Sequence, residues 1–354
     1  MNHLALLTLF LFPAMTISGQ TARMIAVAMC LLCCHPKAEK RLSEPGILLI
    51  AWFLWAALCS LLGDHFDMSL FGYYKRFEGL SMWLLAIGFG WLFWRCSTLP
   101  RLFLTICAIL SICLSVMLIK PEIYKNIIYG HITISAFAAV GSCMLMAKHP
   151  AFIACAIPFT FLTSNRSIIF ALMFGAGAYL ALNFKRLHKE VISTIVTLLA
   201  IAVVGVLPKL LTLDLKSLGT GARTAIATKA LEHIAIRPVM GYGVDTQSTL
   251  FGKSEHETIT QHIRGKPVAF KVDIDRCHNV FLDIAIQTGL VGLALWLFLL
   301  TRMTYRAFSY PSEVNTACLC GIAAFIGFGL WNPTGIPSIF LACVCILGIE
   351  RKSI

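Results

Sequence analysis

Long apolar stretches joined by short loops run through almost the whole chain, and this pattern confines it to one environment. Hydrophobic residues make up 58% of the sequence and charged residues 13%, which is about half the charged share of a soluble protein. Inside a bilayer the backbone N–H and C=O groups of such stretches must be paired internally, and helices achieve this. We therefore predict an all-α polytopic membrane protein.

About twelve transmembrane helices are predicted, since a helix crosses the hydrocarbon core with ~20 mostly apolar residues. The predicted spans are residues 3–18, 22–34, 46–63, 79–94, 101–119, 127–147, 150–163, 167–184, 191–208, 279–300, 314–331 and 335–349. One long polar insert separates the ninth span from the tenth. It divides the chain into an N-terminal transmembrane bundle (1–208), a periplasmic loop (209–277) and C-terminal transmembrane helices (278–354).

Basic residues in the short loops predict which side of the membrane each loop faces. With a cytoplasmic N-terminus, every cytoplasmic loop carries lysine or arginine, as the positive-inside rule requires. These residues are Lys37, Lys40, Arg41, Arg95, Arg101, Lys148, Lys185, Arg186, Lys189, Arg302, Arg306, Arg351 and Lys352. The net charge of +12 follows from this topology and indicates no nucleic-acid partner.

The insert has an organisation of its own. Residues 221–236 have the spacing of an amphipathic helix, with Ile226, Ala230, Leu231 and Ile234 on one stripe. Arg237-Pro238 ends this helix, a glycine turn follows at 241–243, and residues 252–275 are too polar to enter the bilayer. The 14 cysteines lie almost all in the apolar stretches, where they act as small hydrophobic residues, so we predict no metal site and no cofactor.

Three residues on the periplasmic side share one position, the outer start of a helix: Arg166, Arg223 and His278. A helix N-terminus carries unpaired N–H groups and partial positive charge. An anion there is bound by the amides, the dipole and a guanidinium together. The dipole also favours neutral imidazole at His278, which can accept a proton from an attacking hydroxyl. The pattern predicts a site for an anionic substrate.

Each candidate also has a purely structural interpretation. Arg166 suits a membrane-border arginine, Arg223 a solvated helix face, and His278-Asn279 a helix cap. Arg76 follows two tyrosines and suits an interfacial belt. His131 is either a packed polar residue or part of a site lining. Asp273, Asp275 and Arg276 suit a local charge cluster that orients the loop. Their shared location on one side of the membrane favours function.

Three segments resemble the O-antigen ligase and polymerase superfamily. Thr163–Ser167 resembles its T-x-S/T-R motif, with asparagine at position 165 replacing the usual residue. Residues 221–243 resemble its periplasmic pattern of an early helical arginine, a proline and a G-x-G turn. His278–Leu282, followed by Thr288–Leu293, resembles its H-N-x-x-L and G-L-x-G-L segment. The resemblance covers residues 163–293.

The resemblance implies a GT-C-like membrane glycosyltransferase in a bacterial inner membrane, with its active site facing the periplasm. It implies an inverting, metal-independent reaction on an undecaprenyl-diphosphate-linked glycan. Arg166 and Arg223 would stabilise the diphosphate leaving group, and His278 would orient or deprotonate the acceptor hydroxyl. The candidate substrate-binding residues are Arg76, Asn279, Arg276 and His131.

Several functions remain open at this point. An O-antigen polymerase is favoured slightly over a ligase that transfers glycan to lipid A-core, and a third variant transfers glycan to a protein such as a pilin. The expected partners are the lipid-linked glycan, an acceptor glycan or lipid A-core, membrane lipids and a chain-length regulator protein. A polytopic transporter is the alternative from another class, although the sequence shows no internal repeat.

Overall fold

Helices dominate the part of the chain that the structure describes. The computed structural model describes residues 42–73, 78–96, 99–119, 130–163, 165, 167–183, 220–251, 257–263, 266–272, 276–332 and 336–349. The elements are α1 (Glu44–Leu61), α2 (Phe66–Phe71), α3 (Leu80–Cys96), α4 (Leu99–Ile119), α5 (Gly130–Leu145), a 3-10 helix (Pro150–Ala156), α6 (Ile157–Thr163), α7 (Ser167–Asn183), α8 (Thr220–Ile236), α9 (Gln247–Leu250), β1 (Glu257–Ile263), β2 (Lys266–Val272), α10 (Val280–Ser309), α11 (Glu313–Gly329) and α12 (Ile336–Gly348).

Predicted spans that fall within these ranges coincide with helices. Two described helices, α1 and α10, are long and apolar enough to cross a membrane. Among the other described helices α4 has 21 residues and the rest have 17 or fewer, and the predicted span 150–163 begins as a 3-10 helix at Pro150. The predicted spans 3–18, 22–34 and 191–208 lie outside the described residues. The coarse prediction of a helical membrane protein is confirmed, while the number of spans stays a prediction.

The polar part of the insert departs from the all-α prediction. Strands β1 and β2 pair as an antiparallel hairpin, with Glu257 opposite Val272 and Ile263 opposite Lys266. In the sequence of β2 the apolar residues Val268, Phe270 and Val272 stand at alternating positions, and β1 contains four β-branched residues, which together indicate such a hairpin. Judging this stretch by its polarity alone missed that alternation.

The amphipathic helix of the insert is confirmed as α8. Ile226, Ala230 and Ile234 are buried, but Leu231 is 57% exposed, so its assignment to the buried stripe was wrong. The three buried positions are spaced four residues apart, and residue 231 lies 100° around the helix from residue 230. The helix ends at Ile236, just before Arg237-Pro238 as predicted.

A layer of tryptophans lies at the centre of the membrane helices. Trp52 of α1 packs against Trp83 of α3 and Trp296 of α10, with ring centroids 4.9 and 5.1 Å away, and Trp83 lies 6.3 Å from Trp296. Around them α1 packs on α10, α3 on α12, and α7 on α11. This core supports the loops that carry the predicted site residues.

The two ends of α1 contact different parts of the protein. The Glu44 carboxylate, at its start, lies 2.7 Å from Arg302 and 2.7 Å from Arg306, near the end of α10. The far end of α1 contacts the loop at 242–244, where Val244 N–H donates to Ser60 Oγ at 3.0 Å. The 18 residues of α1 make it about 27 Å long, close to the thickness of the hydrocarbon core. The two arginines predicted to be cytoplasmic thus lie far from the predicted site.

Candidate active site

The start of α10 holds two of the predicted residues. Asn279 caps the helix, because its Oδ1 accepts hydrogen bonds from the N–H groups of Phe281 (3.0 Å) and Leu282 (3.2 Å). His278 is half-buried and adopts a left-handed backbone with φ 54°. That conformation costs a residue with a side chain about 1–2 kcal/mol and is concentrated at functional sites. The predicted helix start is confirmed, while both substrate roles stay predictions.

Strong contacts fix the residues just before His278. The buried Arg276 guanidinium lies 2.8 Å from the Glu78 carboxylate and 2.6 Å from that of Asp245. The next residue, Cys277, donates its N–H to Asp283 Oδ1 at 3.0 Å and buries its side chain. His278 therefore follows two residues that are held on α10 and on the loops around it.

Electrostatics explain how the charge of Arg276 is kept inside the protein. Burial lowers the pKa of the guanidinium, but the carboxylates of Glu78, Asp245 and Asp283 outweigh this effect and hold the pKa above its usual range. Burial, followed by the charge of Asp283, raises the pKa of the Cys277 thiol. Arg276 is thus a permanent cation and Cys277 a neutral thiol, so Cys277 is no nucleophile here.

The helix α10 is interrupted at Gly289, nine residues after its start, and the loop 238–243 packs into the interruption. Gly289 has φ 69° and ψ −176°, which no helical residue adopts. Tyr242 N–H donates to the Ile286 carbonyl (3.0 Å) and Gly243 N–H to the Gln287 carbonyl (2.9 Å). On the other side of the break, Leu290 N–H donates to the Pro238 carbonyl at 2.7 Å. Two of the family-like segments therefore form one structural unit.

The start of α7 meets the turn that follows α11. Asn165 Oδ1 accepts from Ser167 N–H (3.1 Å) and from Asn332 Nδ2 (3.0 Å). Asn332 Nδ2 also donates to Ser167 Oγ at 2.6 Å. The same turn reaches α10, since Asn279 Nδ2 lies 3.5 Å from the Leu330 carbonyl oxygen. The first and last family-like segments therefore converge on residues 330–332.

A small cavity lies under this convergence. Its volume is about 40 Å³, enough for a few water molecules of about 10–15 Å³ each but not for a sugar. Trp52 and Trp296 line it together with Glu78, Arg276 and Asn332. Within the described residues, the indole N–H groups of both tryptophans have no hydrogen-bond partner. Buried waters in the cavity would satisfy such donors.

The structure describes four of the predicted site residues only in part or not at all. Arg76 and Arg166 lie outside the described residues. Arg223 lies in the first turn of α8 and His131 in the first turn of α5, but their side chains are outside the described part. The helix of Arg223 packs on the start of α10, since Ile226 belongs to the same buried cluster as Cys277. The roles of these four residues stay predictions.

Sequence reasoning missed three residues that build the site: Glu78, Asp245 and Asn332. Each lies far along the chain from the residue that it holds, so no spacing rule points to it. The available signals were a lone aspartate after the glycine turn and an asparagine in a short apolar turn. In the described ranges no three His, Cys, Asp or Glu side chains are grouped closely enough to bind a metal ion.

Replacing Asn332 with alanine tests the convergence. The substitution removes the amide that joins Asn165 and Ser167 to the turn after α11, so we expect about tenfold lower activity, because small misplacements of reacting groups are costly. We expect only a small change in stability, about 1 kcal/mol for the lost hydrogen bonds. Activity and the midpoint of thermal unfolding in detergent should be measured together. Unchanged activity of Asn332→Ala would show that the reaction does not depend on the contact that joins the start of α7, through the turn after α11, to the start of α10.

Comparisons with known proteins bear on the same segments. No curated protein sequence matches the chain. A family model described as O-antigen ligase matches residues 151–297, from the 3-10 helix to the second half of α10. The match includes the starts of α7, α8 and α10 and the glycine turn. It supports the resemblance found in the sequence: the segment 151–297 is similar to the O-antigen ligase family.

Proposed function

We propose that this protein is a glycosyltransferase that moves a glycan from undecaprenyl diphosphate onto an acceptor hydroxyl at the periplasmic face. The observation that carries the proposal is the convergence of the starts of α7 and α10 on residues 330–332. It brings the neighbours of Arg166 close to His278. Polymerisation of O-antigen repeats is the first candidate reaction, and ligation to lipid A-core or transfer to a protein is the alternative.

The start of α7 suits the diphosphate. The N–H groups of Ser167 and Ile168 donate to Asn165, so it is the partial positive charge of the helix start that attracts an anion. Asn165 is buried, and in the part of the chain described here its Nδ2 amide has no hydrogen-bond partner. A buried donor without a partner is costly, and a phosphate oxygen would satisfy it. Arg166, next in the chain, and Arg223 would bind the same group through bidentate contacts.

The reaction then needs one base and one stabilised leaving group. The acceptor oxygen attacks the anomeric carbon of the donor sugar, and its proton passes to the His278 imidazole. The bond from that carbon to the diphosphate oxygen breaks, and its electron pair leaves with the diphosphate. Arg166, Arg223 and the dipole of the start of α7 would stabilise the growing negative charge, and attack from the opposite face inverts the sugar.

The surroundings of His278 support the role of base. Arg276 and Cys277 on one side and Asn279 on the other are each held by contacts of 3.2 Å or less. A catalytic group that is held before the substrate arrives loses little entropy when the reaction occurs. The strained backbone of His278 fits the same role, because such strain persists only where neighbours impose it.

The test is a lipopolysaccharide gel of the host strain without the gene, complemented by the wild-type copy or by an Arg223→Lys variant. Core carrying a single repeat unit supports a polymerase, and bare core with accumulating lipid-linked glycan supports a ligase. Lysine keeps the charge but loses the bidentate contact, so we expect at most one tenth of the wild-type product. An unchanged ladder without the gene would overturn both lipopolysaccharide roles.

One observation favours a second candidate, a transporter. Broken helices such as α10 often line transport sites. In this protein, however, the break at Gly289 is filled by the loop 238–243, which satisfies its carbonyl groups. Reconstituted protein that moves lipid-linked glycan across liposomes without transferring it to an acceptor would favour the transporter. Glycan transfer in the same liposomes would favour the enzyme.

A further inference from the structure

Asp245 joins three segments that are distant in sequence. Its Oδ2 accepts the N–H groups of Tyr73 at 2.7 Å and Glu78 at 3.2 Å, and its Oδ1 lies 2.6 Å from Arg276 Nη2. The residue is only 2% exposed. Burying a carboxylate costs free energy unless it is paired and hydrogen-bonded, and these partners offset that cost. One side chain therefore ties the loop before α3 to the segment before His278.

The loop that carries Asp245 also holds the other end of the same half-helix. The half-helix runs from Val280 to Thr288, where the break at Gly289 interrupts α10. Tyr242 and Gly243 donate their N–H groups to the last carbonyls of this half. At the opposite end, Asp245 binds Arg276, two residues before His278. The loop 238–245 thus clamps both ends of a helix that is about 13 Å long.

The clamp is itself anchored on α1. Val244 N–H donates to Ser60 Oγ at 3.0 Å, and Gly243 lies so close to Ser60 and Ser69 that a Cβ there would be 2.5 Å from Ser69 Oγ. Trp55 Nε1 donates to the Thr288 carbonyl at 2.9 Å and so ties the break to the same helix. The segment before His278 is therefore held on α1 through these backbone contacts and the Asp245 carboxylate, while Glu78 supplies a second carboxylate to Arg276.

We propose that Asp245 is a positioning residue for the base His278. Asp245 acts through Arg276 and so holds His278 at the acceptor hydroxyl. The inference rests on the proposed function, since it needs His278 to be the base. It predicts a loss of turnover when the Asp245 carboxylate is changed, without a matching loss of donor binding. The reason is that the diphosphate binds at the start of α7, which Asp245 does not touch.

The first variant is Asp245→Asn, which keeps the shape of the side chain but removes its charge and one of its two acceptor oxygens, so that an NH2 group faces either Arg276 or the N–H groups of Tyr73 and Glu78. The chain offers a matched control in Asp64→Asn. Asp64 also pairs with an arginine, at 2.8 Å from Arg237, but its side chain is 63% exposed. An exposed ion pair contributes little, so the control should behave as wild type. The two variants change the same chemical group in a buried and in an exposed setting.

The measurement is glycan transfer by purified protein with undecaprenyl-diphosphate-linked glycan extracted from the host strain. For Asp245→Asn we expect kcat to fall at least tenfold, with the KM for the donor within about threefold of wild type. In a His278→Gln background, Asp245→Asn should cause no further fall. A residue that only supports the fold would lower the residual rate in that background as well.

Two results would overturn the inference. One is wild-type kcat for Asp245→Asn, and the other is an equal fold-loss with and without His278. If Asp245→Asn does not fold, Asp245→Glu keeps the charge and moves the carboxylate by one methylene. We expect the kcat of Asp245→Glu to fall at least tenfold too, and wild-type turnover by this variant would also overturn the inference. Inactive wild-type protein would instead count against the proposed function.

Discussion

The His278→Gln variant is expected to transfer glycan about 10²–10⁴ times more slowly than the wild-type protein. Glutamine has a similar size and can still form hydrogen bonds, but it cannot accept the proton of the acceptor hydroxyl. The protein should remain folded, because the Asn279 side chain, which caps α10, is untouched. The rate of transfer and the midpoint of thermal unfolding should be measured on the same purified samples.

A second histidine provides the control. His65 is exposed at the start of α2 and makes no side-chain capping hydrogen bond, so His65→Gln should keep full activity. The left-handed backbone of His278 offers a further check. Glycine relieves that strain, which offsets part of the stability lost with the half-buried side chain, and His278→Gly should be as inactive as His278→Gln. Full activity of His278→Gln would leave His278 as part of a helix cap and nothing more.

Apolar length and capping residues predicted most of the helices. The starts of α7 and α10 follow Asn165 and Asn279 closely, because the side chains of these residues accept hydrogen bonds from the first N–H groups of each helix. The end of α10 was predicted poorly: the helix runs to Ser309, nine residues beyond the predicted span. Arg302 and Arg306 sit in that extension because Glu44 neutralises them, a contact between distant parts of the chain.

The candidate site was predictable only in its local parts. His278 and Asn279 could be located from their position at a helix start. The partners of Arg276 could not, because Glu78 and Asp245 lie 198 and 31 residues away in sequence and pair with it only in the fold. The break in α10 was hidden for a similar reason. The glycine at position 289 was visible, but the loop that satisfies the opened carbonyls is formed by residues 238–243.

Replacing Gly289 with alanine should destabilise the protein on the order of 3–5 kcal/mol. The backbone at φ 69° and ψ −176° lies in a region that only glycine enters freely, at a cost of about 1–3 kcal/mol for other residues. A Cβ at this position would clash with the Val239 carbonyl oxygen. Relieving that clash separates the loop from α10 and breaks hydrogen bonds that contribute about 1 kcal/mol each.

Gly177→Ala is the matched control, because a Cβ there meets nothing within 4 Å and the residue lies inside α7. Alanine favours helix over glycine by about 1 kcal/mol, so the control should be as stable as wild type or slightly more so. Thermal unfolding in detergent measures both variants.

The loop 238–245 also holds Arg276, so Gly289→Ala protein that remains folded should lose activity as well. Wild-type stability for Gly289→Ala would mean that α10 can close its break without the loop, and the clamp on His278 would then lose its physical basis.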